Sequence, residues 1–119
     1  MFNIKTLNSI SPVYKNVLAA SEFAVGAEIE NPDAIIVRSA DMHAMTPPAG
    51  LLAVGRAGAG YNNIPVADFG KEGIVVFNTP GANANGVKEL VIAAMLLASR
   101  DIIGGVEWVK ANAGDAAIN

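Results

Sequence analysis

Residues 51–100 read LLAVGRAGAGYNNIPVADFGKEGIVVFNTPGANANGVKELVIAAMLLASR, and their pattern predicts the fold class of the chain. A buried strand, LLAV, is followed by a glycine-rich turn, a short helix, a second strand, IVVF, and a long apolar helix. Strands that alternate with helices indicate a parallel sheet with right-handed crossovers. In such a sheet, ligands bind in the crevice at the carboxyl ends of neighbouring strands.

The rest of the chain adds elements of the same kind. Five runs have the length and composition of strands: Phe2–Leu7, Ala24–Val25, Ala34–Val37, Leu51–Val54 and Ile74–Phe77. Between them we predict three helices: one from Ser11-Pro12 with Val13, Val17, Leu18 and Phe23 on its apolar face, one around Met42–Met45, and one over Pro65–Lys71. The pattern predicts an α/β fold with a flavodoxin-like parallel sheet flanked by helices.

From Asn83 onward the apolar residues recur at helical spacing, which predicts one long helix over residues 83–113. Gly104-Gly105 weakens this helix at a cost of about 1 kcal/mol per glycine. We therefore divide the chain into a domain of residues 1–82 and a helix of residues 83–113. The middle of the helix is apolar nearly all round, so we expect self-association through Val87–Val106 and hence a homo-oligomer.

Composition excludes several functions. The 119 residues are 52% hydrophobic with a net charge of −3, which suits one globular domain and argues against general nucleic-acid binding. No cysteine and a single histidine, His43, leave no disulfide and make a metal site improbable. The N-terminus lacks a signal peptide, and the most apolar run, Leu90–Ser99, is half the roughly 20 residues that a membrane helix needs. We expect a cytoplasmic chain.

Two segments at predicted strand ends can bind an anion. Arg38 follows the AIIV strand, where its planar guanidinium matches carboxylate or phosphate. The alternative is a surface arginine paired with Asp33 or Asp41. Residues 56–60, RAGAG, follow the LLAV strand, and their successive amides could form an anion-binding concavity. The alternative is a tight turn without a ligand.

Two further patterns, a dinucleotide-binding glycine motif and a catalytic histidine, are incomplete in this sequence. Gly58-Ala59-Gly60 begins like GxGxxG, but Asn63 replaces the third glycine and the next strand ends in Asn78 rather than an acidic residue. His43 has no acidic partner that we expect to orient it, and no Ser/His/Asp set can be assembled. The chain is therefore predicted to bind an anion without supplying an acid–base catalyst.

The segment GRAGAGYNNIPV, together with KEGIVVFNTPGANANGVKELVIAAMLLASR, resembles the D-isomer 2-hydroxyacid dehydrogenases from about Asn31 to Trp108. NPDAIIVRSADMHAM with GRAGAG is most similar to the branch that oxidises 3-phosphoglycerate. The resemblance implies an NAD-binding domain inserted into a substrate domain. This chain would be the first part of the substrate domain and the first crossing helix. The nucleotide loop and the catalytic residues would lie beyond this sequence, so we expect no activity from it alone.

The resemblance also implies roles for single residues. Arg38, with Ser39 beside it, would contact the phosphate of the substrate, and the main-chain amides of the loop Arg56-Ala57-Gly58-Ala59 would hold its carboxylate. Ala59 would also touch the nicotinamide side of NAD. Tyr61 departs from the small aliphatic residue that the family has there. Two alternatives stay open: another 2-hydroxyacid such as glycerate or lactate is the substrate, or the chain is a non-catalytic α/β binding or interaction module.

Overall fold

The structure, a computed structural model, describes residues 1–117. Five strands pair in parallel in the order β2-β1-β3-β4-β5. This is the flavodoxin-like order, so the predicted fold class is confirmed. The strands are β1 (Phe2–Leu7), β2 (Phe23–Gly26), β3 (Ala34–Val37), β4 (Ala53–Arg56) and β5 (Val75–Phe77). The helices are a 3₁₀ helix (Pro12–Asn16), α1 (Val66–Lys71), α2 (Ala84–Ser99) and α3 (Ile102–Asn112).

The chain divides into two compact units, Met1–Ala82 and Asn83–Asn119. The core of the first unit lies on one face of the sheet. Ile35 pairs with Val54 in register, and both belong with Phe69 of α1 to one buried cluster. Phe69 is only 2% exposed, and burial of such a side chain contributes about 2–3 kcal/mol. This packing helps to hold β3 and β4 in place.

The opposite face is less covered at its β5 edge. Val75 and Phe77 are 51% and 61% exposed, whereas parallel strands are usually buried on both faces. An open depression of about 230 Å³ lies here and is lined by Ile36, Gly55, Arg56, Ala57, Phe77 and Thr79.

The helix predicted from Ser11-Pro12 to Phe23 is wrong. Only Pro12–Asn16 is helical, as a 3₁₀ helix, and the predicted apolar-face residues Val13 and Val17 are exposed. Phe23 belongs to β2, where it pairs with Phe2 and stacks on its ring at 6.0 Å between centroids. This cross-strand pair draws Phe23 into the sheet.

The helix predicted around Met42–Met45 is a single turn, closed by a hydrogen bond from Met45 N to Met42 O (3.1 Å). Pro47 and Pro48 follow at once and lack the amide hydrogens that a longer helix requires. Met42 nevertheless belongs to the buried core of the first unit. The predicted strand Leu51–Val54 is displaced by two residues, because β4 pairs with β3 over Ala53–Arg56.

The single helix predicted over residues 83–113 is also wrong, since it breaks between α2 and α3. Asp101 adopts a left-handed conformation (φ 45°), and its carboxylate accepts a hydrogen bond from Gly104 N at 3.3 Å. Aspartate favours such a break because its side chain can accept a hydrogen bond from a backbone amide at the start of the next helix. Within the described residues, no helix has the length and apolar character to cross a membrane.

Candidate functional site at the carboxyl ends of β3 and β4

The two predicted anion-binding segments lie at the same edge of the sheet. Val37, the last residue of β3, pairs in register with Arg56, the last residue of β4. Ala57 N donates to Val37 O at 2.7 Å, which extends the pairing by one more bond. Arg38 and the loop of residues 57–60 therefore leave adjacent strand ends. This edge is where open α/β sheets bind ligands.

Arg38 is exposed, and neither predicted competitor forms an ion pair with it. Asp33 accepts a hydrogen bond from Asn3 N at 2.7 Å, and Asp41 accepts from His43. The ion pairs within residues 1–117 are Asp41 with His43 and Asp68 with Lys71. Among the described residues, no carboxylate pairs with the guanidinium of Arg38, so this group is available to a ligand.

The loop after β4 is tied to the end of β5. Thr79 N donates to Gly58 O at 3.0 Å, and Asn78 Nδ2 donates to Ala59 O at 2.8 Å. Thr79 Oγ1 also donates to Arg56 O at 3.3 Å. No role in the site was predicted for Asn78. The signal that could have shown it is its position at the end of the strand next to this loop.

Hydrogen bonds within the chain limit which loop amides can hold an anion. Ala57 N and Gly58 N both donate to main-chain carbonyls, of Val37 and of Arg56 at 2.9 Å. Ala59 N and Gly60 N have no acceptor among residues 1–117. In this geometry the amides open to a carboxylate are those of Ala59 and Gly60, whereas Ala57 and Gly58 shape the loop.

The guanidinium of Arg56 folds back over its own loop. A Cβ built on Gly58 would coincide with Arg56 Nη1, and Gly58 has φ +151°, which side-chain-bearing residues rarely adopt. Arg56 Nε is buried and has no hydrogen-bond partner in the part of the chain described. Buried polar groups are normally paired, so the unpaired Nε of Arg56 is an exception to that rule within this loop.

The segment that follows Arg38 is held from two sides. Asn8 Oδ1 accepts hydrogen bonds from Ser39 N at 2.9 Å and from Ala40 N at 2.6 Å. Asn63 Nδ2 donates to Ala40 O at 2.8 Å. Ser39 N is therefore engaged, although its side chain remains exposed. Neither asparagine was predicted to serve the site, because both contacts join residues far apart in sequence.

His43 does have an acidic partner, contrary to expectation. Its Nδ1 lies 2.6 Å from Asp41 Oδ1, and its amide N donates to the same oxygen at 3.0 Å. The backbone hydrogen bond, followed by the side-chain one, holds the pKa of Asp41 below its usual value. Over residues 1–117 no serine or threonine hydroxyl is hydrogen-bonded to His43, so the pair is not part of a nucleophilic triad.

A metal centre has no ligand set in the described residues, where no three His, Cys, Asp or Glu side chains gather. The hydrogen-bond donors left open near the strand ends include the side chain of Arg38 and the amides of residues 59–60.

The model of the family "D-isomer specific 2-hydroxyacid dehydrogenase, catalytic domain" matches residues 4–116. D-3-phosphoglycerate dehydrogenase of Archaeoglobus fulgidus is 40% identical over 78 residues, which are 63% of this chain and 15% of that protein. Hydroxypyruvate reductase of Thermotoga maritima is 43% identical over 77 residues, which are 62% of this chain and 25% of that protein.

D-3-phosphoglycerate dehydrogenase of Mycobacterium leprae is 35% identical over 79 residues, which are 64% of this chain and 15% of that protein. The chain thus spans a quarter or less of the length of these relatives. The family match, by contrast, covers nearly all of this sequence. The chain belongs to the D-isomer specific 2-hydroxyacid dehydrogenase family.

Proposed function

We propose that this chain is the substrate-binding segment of an NAD-dependent D-3-phosphoglycerate dehydrogenase. The parent reaction oxidises the 2-hydroxyl carbon of 3-phosphoglycerate to give 3-phosphohydroxypyruvate, at the entry to serine biosynthesis in the cytoplasm. One observation carries the proposal: Val37 and Arg56 are paired, so Arg38 and the loop of residues 57–60 leave the same sheet edge. Two relatives named D-3-phosphoglycerate dehydrogenase support this choice of substrate.

The substrate carries an anion at each end, and the site has two separate cationic groups for them. Arg38 binds the phosphate, for which a planar guanidinium supplies paired donors. Arg56 and the amides of Ala59 and Gly60 bind the carboxylate. Holding both ends fixes the reacting carbon and lowers the entropic part of the barrier. In a chain of net charge −3 this attraction is local rather than general.

The described residues do not by themselves fit NAD. A dinucleotide site needs a glycine loop that opens directly into a helix, whose free amides meet the diphosphate. Here residues 61–65 separate Gly60 from α1, which has only six residues and lacks a side-chain cap. In this proposal the chain contributes at most Ala59 to the nicotinamide end. Proton removal and capture of NAD belong to other parts of the enzyme.

A second substrate has support of its own. The Thermotoga maritima relative, 43% identical, is named hydroxypyruvate reductase. Hydroxypyruvate lacks a phosphate, so Arg38 would then have no second anion to bind. Among the described contacts, the exposed and unpaired guanidinium of Arg38 favours the phosphorylated acid.

Kinetics of the full-length enzyme that carries this segment test the choice. Replacing Arg38 with alanine should raise KM for 3-phosphoglycerate by about tenfold to a hundredfold, the loss of one charge-assisted pair. KM for D-glycerate should change less than threefold. Arg100→Ala, an exposed arginine at the end of α2, is the matched control. Equal effects of Arg38→Ala on both acids would contradict a phosphate role for Arg38.

We further propose that the protein is a homo-oligomer and that α2 contributes to its contacts. Leu90, Met95 and Leu96 are 72%, 66% and 59% exposed although they lie on different sides of this helix. A helix that is apolar all round is normally covered. In this proposal the apolar surface of α2 is covered by the α2 of a second copy of the chain.

A further inference from the structure

The left-handed residue that follows β1 contacts the segment after Arg38. Asn8 has φ 69°, a conformation that asparagine tolerates better than most residues. In that conformation its Oδ1 accepts hydrogen bonds from two successive amides, Ser39 N at 2.9 Å and Ala40 N at 2.6 Å. Both bonds span more than 30 residues of sequence, so they fix the end of β3 to the end of β1.

The same loop is held from its other side. Asn63 Nδ2 donates to Ala40 O at 2.8 Å, and Asn63 O accepts from Met42 N at 2.9 Å. The side chain of Met42 is buried in the core. The segment of residues 39–42 is therefore ordered although it lies outside any helix or strand.

These contacts bracket Arg38. On its amino side Val37 is fixed in β3 and accepts from Ala57 N. On its carboxyl side the amide of Ser39 is fixed by Asn8. The backbone of Arg38 is thus held at both neighbours while its side chain is free in solvent. Such preorganisation raises affinity, because less order has to be imposed when the ligand binds.

We infer that Asn8 is a positioning residue for anion recognition, acting on Arg38 through the amides of Ser39 and Ala40. This inference rests on the proposed role of Arg38 in binding phosphate. Asn8 itself does not touch the anion. It fills the concavity of two amides that an anion could otherwise occupy, and thereby directs the anion to the guanidinium.

Three variants isolate the contact. Asn8→Gly tolerates the positive φ and removes the side chain that carries the acceptor oxygen. Asn8→Asp keeps both the conformation and an acceptor. Asn62→Gly makes the same chemical change at an exposed loop residue whose side chain has no hydrogen bond within residues 1–117.

Hydrogen–deuterium exchange of the peptide that covers residues 38–41 is the first readout. In Asn8→Gly the amides of Ser39 and Ala40 should exchange about tenfold faster, the loss expected for one or two exposed hydrogen bonds. Asn8→Asp should restore slow exchange, and Asn62→Gly should not change it. Unchanged exchange in Asn8→Gly overturns the inference. Exchange in the peptide of β4, followed in parallel, separates a local effect from global unfolding.

Binding of 3-phosphoglycerate, measured by isothermal titration calorimetry, is the second readout. Asn8→Gly should weaken binding about tenfold relative to wild type, and Asn62→Gly should leave it unchanged. If wild type binds and Asn8→Gly binds equally well or better, the inference is wrong while the proposed function stands. If wild type itself does not bind, the proposed function is wrong, and the assignment of Asn8 to anion recognition falls with it.

Discussion

The guanidinium of Arg56 occupies the position that a side chain on Gly58 would need. A Cβ on Gly58 would coincide with Arg56 Nη1, and the backbone of Gly58 is at φ +151°. The two residues therefore depend on each other. The absence of a side chain at position 58 lets Arg56 fold back over its loop, and Arg56 in this conformation leaves no room for a side chain at position 58.

Gly58→Ala should lower the free energy of unfolding by about 2–3 kcal/mol, because it adds backbone strain and displaces Arg56. Chemical denaturation followed by fluorescence or circular dichroism measures this. Gly55→Ala is the matched control, since nothing lies within 4 Å of a Cβ at that position and its φ is ordinary. It should change stability by less than about 0.5 kcal/mol. Equal costs for the two variants would show that Arg56 does not need the space at Gly58.

Replacement of two neighbouring glycines of α3 by alanine should change the stability of the helix in opposite directions. A Cβ on Gly104 would lie 2.5–2.8 Å from atoms of the Asp101 carboxylate, which accepts a hydrogen bond from Gly104 N. Gly104→Ala should therefore disrupt the cap and cost about 1 kcal/mol. Gly105→Ala meets nothing within 4 Å and should stabilise the helix by up to about 1 kcal/mol.

Thermal unfolding followed by far-ultraviolet circular dichroism compares the two glycine variants. The expected order of midpoints is Gly105→Ala, then wild type, then Gly104→Ala. If both variants raise the midpoint, the break at Asp101 is not capped as described.

The hydrogen bonds from His43 hold the pKa of Asp41 below its ordinary value of 3.8. Because the folded pKa is depressed, the stability linked to Asp41 is present above that value and is lost as the pH falls through the folded pKa. His43→Ala removes the ring but keeps the backbone amide, which is the larger cause.

The pKa of Asp41 should therefore rise in His43→Ala but remain below 3.8. Carbon-detected NMR titration of the Asp41 carboxyl group in wild type and variant tests this. A complete return to the ordinary value in His43→Ala would mean that the amide of His43 is not the main donor to Asp41.

Association of the chain should depend on the apolar surface of α2. The double variant Leu90→Glu with Leu97→Glu changes two residues seven apart on one side of the helix, and should weaken association by at least tenfold. Val13→Glu with Val17→Glu is the matched double variant, at residues that are 64% and 79% exposed in the first unit. Sedimentation velocity over a range of concentrations measures the effect. Equal weakening by both doubles would contradict a specific role for α2.

The strands were predictable because a buried parallel strand is a continuous apolar run, and Ala34–Val37 was predicted with the bounds that it has. The helices were harder, since their limits depend on contacts distant in sequence. Phe23 looks like part of an apolar helical face until Phe2 is known to pair with it. The break at Asp101 depends on a left-handed conformation that no spacing of apolar residues reveals.

In the site, too, local sequence reveals some residues, and contacts distant in sequence determine the others. Arg38 and the glycine loop were found from their positions after apolar strands. Asn8, Asn63 and Thr79 act on them through hydrogen bonds across neighbouring strand ends, and sequence alone gives no register by which to find such partners. The roles predicted for Arg38, Ser39 and residues 56–59 themselves stay predictions.

Titration of the isotope-labelled chain with 3-phosphoglycerate, followed by NMR, tests whether Arg38 and the loop of residues 57–60 form one site. A single site predicts saturable shifts of the Arg38 side-chain signals together with the amides of Ala59 and Gly60 in wild type, and loss of the shifts of those two amides in the double variant Arg38→Ala with Arg56→Ala. Shifts confined to one of the two segments, or shifts unaffected by removal of both arginines, would contradict a single site for the two anionic groups.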